Sequence, residues 1–97
     1  MNKILFSKYG TFLSGRSLST EIISKEKINP LLPIELDFHG IPAANQSFLN
    51  QLFLDLAHLG FSWKDLVIVN AIPDILTQRI EDQLNIVFEN RTSLKMR

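Results

Sequence analysis

The sequence predicts a small α/β domain: a mixed or mostly parallel sheet of about four strands packed by three helices. Three observations carry this expectation. Ile34-Glu35-Leu36-Asp37-Phe38 alternates apolar and acidic side chains, which places Ile34, Leu36 and Phe38 on one face of a strand. Leu66-Val67-Ile68-Val69 is a short β-branched run, apolar on both faces, as a central covered strand requires. Three further stretches repeat apolar residues at helical spacing, and they alternate with the strands.

Taken from the amino end, Lys3 to Phe6 reads as a short edge strand. Tyr9-Gly10 turns the chain before a second run, Thr11 to Leu13, so a strand or a loose hairpin is expected there. Either Ser14 or Ser17 can cap the first helix, in which Leu18, Ile22 and Ile23 share a face from about Ser17 to about Lys25. Asn29-Pro30 stops it, because proline cannot continue a helix and disfavours helical geometry at the residue before it.

After the strand Ile34 to Phe38, the polar loop from His39 leads to a second helix that Asn45 or Ser47 can cap. Phe48, Leu49, Leu52, Phe53, Leu56 and Leu59 make its broad apolar stripe, and Gly60 suits a left-handed terminus. Phe61 and Trp63 follow; they either close the bottom of the core or stand as exposed anchors for a partner. After Val69, Pro73 suits a first helical position, and Asp74 is favourable beside the positive end of a helix. Ile72, Leu76, Ile80, Leu84 and Val87 repeat along that third helix, expected from Asp74 to Phe88. The connections look too short to build a second layer of sheet.

Ninety-seven residues with 45% hydrophobic content support one core, placed at residues 1–90, followed by a basic tail at residues 91–97. Ten basic and ten acidic side chains balance, so no global field recruits nucleic acid or an anionic membrane, and neither is expected as a partner. No apolar run approaches the roughly 20 residues of a membrane span, and MNKILF has no sustained apolar region or cleavage site. The absence of cysteine suits a reducing compartment, and a cytoplasmic location is the expectation.

The pattern LDFHGI, a short polar loop, then Ser47-Phe48 opening an apolar helix, resembles the STAS-like domain family of unknown function. That family is related to the sulfate-transporter and anti-sigma-factor-antagonist fold. The pair Gly15-Arg16 at the start of the first helix is similar to what the family shows upstream of its strand, and the resemblance runs from about Gly15 to Phe88. It implies a signalling module whose partner is a histidine-kinase-like ATPase or another regulatory protein. In the antagonists the loop carries an Asp-Ser-Ser-Gly-like sequence with a phosphorylated first serine. On this chain the four positions fall at Asn45, Gln46, Ser47 and Phe48. Gln46 cannot accept phosphate, so any phosphate switch would have to use Ser47.

The expected function is therefore a non-enzymatic interaction module that docks a protein through the loop from His39 to Ser47 and the start of the second helix. Its candidate residues are Arg16, Asp37, His39, Gly40, Asn45, Gln46, Ser47 and Phe48. Arg16 is electrostatically odd at a helix start, which points to an ion pair or an anion contact, or else to an ordinary surface arginine. The alternative is a small-ligand or nucleotide-binding domain that uses the strand ends at Asp37, His39, Asn70 and Asp74. A hydrolase has the least support. Asp37 and His39 could make a carboxylate-histidine pair, but no cysteine nucleophile and no G-x-S-x-G elbow accompany them. His39, Asp37 and His58 have no metal-ligand spacing, so no metal and no cofactor are expected.

Overall fold

The computed structural model describes residues 1–88, and the tail expected at 91–97 lies outside the described residues. Strand β1 (Asn2–Leu5) passes through a 3-10 turn (Phe6–Tyr9) into β2 (Phe12–Leu13) and helix α1 (Arg16–Glu26). Strand β3 (Ile34–Asp37), the short β4 (Ala43–Ala44) and α2 (Gln46–Leu59) follow. A second 3-10 turn (Trp63–Asp65), β5 (Leu66–Val69) and α3 (Asp74–Phe88) complete the described chain.

The chain is α/β, with three helices and five strands in two parallel sheets among the described residues. The larger sheet has the order β1-β3-β5, and the smaller pairs β2 with β4. This corrects the expected single sheet of about four strands: a second small sheet does form. No hairpin joins β1 to β2. The 3-10 turn redirects the chain after Leu5, so β1 pairs in parallel with β3 while β2 crosses to Ala43 and Ala44. β5 is also corrected, from a central strand to an edge strand; the alternating β3 is the centre.

Register explains the sheet's two faces. Ile4, Leu36 and Ile68 lie side by side, as do Ile34 and Leu66, and all five are buried in the core that the helices share. On the opposite face Lys3 stands beside Glu35, and Leu5 beside Asp37 and Val69. Parallel sheets are usually covered on both faces. Here the second face is left half-buried, and its polar members neutralise one another: Lys3 Nζ lies 3.4 Å from Glu35 and 3.6 Å from Asp37.

Helix α2 sits between α1 and α3 and supplies Phe48, Leu49, Leu52, Phe53 and Leu56 to the core. The Phe6 ring packs at 4.7 Å from Phe38 and edge-on at 6.0 Å from Phe48, which ties the first 3-10 turn to β3 and α2. Such aromatic pairs contribute about 1 kcal/mol beyond their buried area. Phe61 is buried, and Trp63 half-buried beneath Lys64. At the end of α2 the Gly60 N-H donates to Ala57 O, and the Phe61 N-H to Leu56 O. That arrangement requires the left-handed φ of 107° at Gly60.

Two contacts secure the amino end. The Tyr9 hydroxyl donates to Glu26 Oε2, and Lys8 Nζ lies 2.9 Å from the same oxygen. Asn2 Nδ2 donates to the carbonyls of Asn29 and Leu32, holding the start of β1 against the chain that leaves α1. No described helix is long and apolar enough to cross a membrane.

Candidate functional site

The carboxyl ends of β3 and β5 lie next to each other because the strands pair in register, Asp37 opposite Val69. Asp37 is 6% exposed and carries most of the polar order there. Its Oδ1 accepts from the His39 backbone N-H and from Asn70 Nδ2, both at 2.9 Å, while Lys3 approaches Oδ2. Burial pushes the Asp37 carboxyl up, but the bonds from Asn70 and His39 and the nearby Lys3 charge outweigh it and hold it below the usual carboxylate range.

Above this clamp the two loops enclose a basin of about 360 Å³, open to solvent and lined by Phe38, Gly40, Ile41, Pro42, Asn70, Ile72 and Pro73. Phe38 and Ile41 are buried beneath it, whereas Ile72 is 78% exposed. Gly40 has φ 75°, and the Ile41 N-H donates to Phe38 O, so the chain reverses immediately after β3. A side chain at Gly40 would be strained by that backbone even though nothing crowds its Cβ position.

At the amino end of α2, Asn45 is a junction. Its backbone N-H donates to Leu13 O, its Oδ1 accepts from the N-H groups of Phe48 at 2.8 Å and Gly15 at 3.3 Å, and its Nδ2 donates to Ser14. One side chain thus caps α2 and secures the start of α1. Neither Ser14 nor Ser17 caps α1: its cap residue is Gly15, at φ 90°, without a side-chain bond. Gln46 and Ser47 open α2 on the exposed side. Arg16 reaches Asn50 Oδ1 at 2.8 Å and Gln51 Oε1 at 3.3 Å, and makes no carboxylate ion pair among the described residues. Arg16, Gln46, Ser47, Asn50, Gln83 and Ile86 line a second basin of about 310 Å³.

The expected docking residues therefore divide between two places. Asp37, His39 and Gly40 belong to the sheet end; Arg16, Asn45, Gln46 and Ser47 belong to the start of α2. Phe48 is corrected: it is 0% exposed and packs on Phe6, so it serves the core and not a docking surface. His39 and Asp37 meet through the His39 backbone, so they do not form the carboxylate-imidazole pair that general-base chemistry needs. Among the described residues no three of His, Cys, Asp or Glu gather as a metal site.

Sequence reasoning missed Ile72 as a surface residue because it continues the periodicity of α3, yet it precedes the helix and points to solvent. Asn50 and Gln83 were missed as well. A glutamine on a helix stripe that carries Ile80 and Leu84 was the available signal. No protein family, no curated protein and no solved structure matches this chain.

Proposed function

We propose that the chain is a non-enzymatic, STAS-like regulatory module of the cytoplasm that binds a protein partner at the carboxyl end of its sheet. The loop from His39 to Ser47 and the segment from Asn70 to Pro73 form the surface. One observation carries the reading: the basin between the two loops has an apolar floor and a wall, Ile72, that is 78% exposed. A concave apolar site with a rigid rim suits one buried anchor side chain of a partner. The Asp37–Asn70 bond supplies the rigidity, which reduces the ordering cost of association.

Family resemblance adds a partner class, a histidine-kinase-like ATPase. Ser47 is exposed near the same loop, and its hydroxyl has no hydrogen-bond partner among the described residues, so a kinase could reach it without breaking a cap. Phosphate there adds roughly two negative charges and would regulate docking by repelling an acidic partner surface. The small-ligand alternative at Asp37, His39, Asn70 and Asp74 has weaker support, because Asp37 and Asn70 already satisfy each other.

The test is site-specific photo-crosslinking in cells of the source organism. A photoreactive residue at position 72 is expected to capture one defined protein, and the same residue at the exposed Lys27 is not. Equal capture at both positions, or none at position 72, would remove the proposed surface.

A further inference from the structure

We infer that the basin at the amino end of α2 binds a small free oxyanion, the phosphate or carboxylate group of a soluble ligand, through Arg16, Gln83 and the first turn of the helix. It shares Gln46 and Ser47 with the loop of the proposed docking surface, but the apolar anchor site of that proposal lies in the other basin, so each can fail without the other.

The first observation is the terminus itself. α2 runs for 14 residues, and its amino end carries partial positive charge on unpaired N-H groups. Asn45 occupies the Phe48 N-H, but the N-H groups of Gln46 and Ser47 have no partner among the described residues. A terminus alone is common to every helix.

The second observation is independent and comes from α3. Gln83 is only 7% exposed, yet it lines this basin. Its orientation follows from a relay that Arg16 sets. A guanidinium can only donate, so Asn50 must turn Oδ1 toward Arg16, and its Nδ2 then donates to Gln83 Oε1 at 2.9 Å. The relay ends on Gln83 Nε2, a donor with no partner among the described residues. Gln83 is otherwise buried, so the basin that it lines is where a partner can reach this N-H.

Charge agrees with the direction of the donors. Asp55, one turn beyond Gln51 on α2, accepts from Gln51, Ser19 and Thr20 and makes no ion pair with Arg16. Arg16 thus keeps its charge and further N-H groups for a ligand, and an oxyanion matches them in sign and in acceptor capacity. Ile86, exposed at the rim, offers an apolar shoulder to the body of the ligand.

The experiment is titration of the isotopically labelled protein with sodium phosphate and, separately, sodium acetate at constant ionic strength, followed by amide NMR. Either anion should produce saturable shifts at the Gln46 and Ser47 amides and at the Gln83 side-chain amide. Saturation by phosphate alone, or by acetate alone, supports the site and identifies its anion class. Arg16→Gln and the similarly shaped Gln83→Met should each weaken binding at least about tenfold, a loss of about 1.4 kcal/mol. Lys27→Gln should leave binding unchanged. Linear shifts without saturation for both anions, or unchanged affinity in a folded Gln83→Met protein, would overturn the assignment.

Discussion

Asn70 donates its side-chain amide to Asp37 Oδ1 at 2.9 Å, and through this bond the loop after β5 is held to the end of β3. Asn70 also has φ 60°, a left-handed conformation that asparagine tolerates better than most residues. The same residue therefore supplies a turn and a clamp. Asn70→Ala should destabilise the fold by about 1–3 kcal/mol, since it removes a bond to a buried carboxylate and strains the backbone. Asn70→Gly loses the bond but relieves the strain, so urea unfolding should rank it between wild type and alanine.

Acid should weaken the protein through Asp37. Its folded carboxyl lies below the usual 3.8, so its contribution is present above that pH and is lost as pH falls through the folded value. Glu26 acts in the same sense: burial raises its carboxyl, but bonds from Tyr9 and Lys8 outweigh that and leave it lowered. Asp37→Asn should be less stable than wild type at neutral pH, and its stability should fall less steeply in acid. Urea midpoints between about pH 7 and about pH 3 measure both effects.

At the alkaline end Tyr9 contributes. Its hydrogen bond to Glu26, then burial and the charges of Glu26 and Glu21, raise the phenol from 10.0 to about 12. Unfolded chains release that proton first, so the Tyr9 contribution is complete below 10.0 and disappears as pH rises toward about 12. Tyr9→Phe should abolish this part of the alkaline loss, as followed by circular dichroism across that window. An unchanged alkaline limb would mean that the phenol does not hold the 3-10 turn to α1.

Asn45 and Ser47 were both reasonable caps for α2, and only Asn45 bonds to the Phe48 N-H. Asn45→Ala should cost about 1–2 kcal/mol from the lost cap, and more if the start of α1 loosens with it. Ser47→Ala should stay within about 0.5 kcal/mol of wild type. Thermal unfolding of the two variants separates the roles.

The sequence disclosed the elements better than their arrangement. Amphipathic spacing placed the three helices of the described residues, and Gly60 ended α2 as its geometry requires. Pairing was less legible. Leu66 to Val69 has the composition of a covered central strand, but it lies at the sheet edge, with Leu66 and Ile68 buried and Val67 and Val69 half-exposed. β2 and β4 are two residues each, too short for a period, and they exist because the turn at Phe6–Tyr9 carries Phe12 and Leu13 across to Ala43 and Ala44. At the site, Asp37 and Asn45 stood out from the sequence alone. The Arg16–Asn50–Gln83 relay did not, because it joins three helices whose separation in sequence says nothing of their packing.

The central claim is that a protein partner seats an apolar anchor between the His39–Pro42 and Asn70–Pro73 loops. Its most direct test is the dissociation constant of the photo-captured partner, measured calorimetrically for wild type, Ile72→Asp and Lys27→Asp. Ile72→Asp, placed on an exposed residue, should leave the thermal midpoint unchanged and weaken binding at least about tenfold, while Lys27→Asp binds as wild type. Equal affinity of a folded Ile72→Asp protein and wild type would contradict the account.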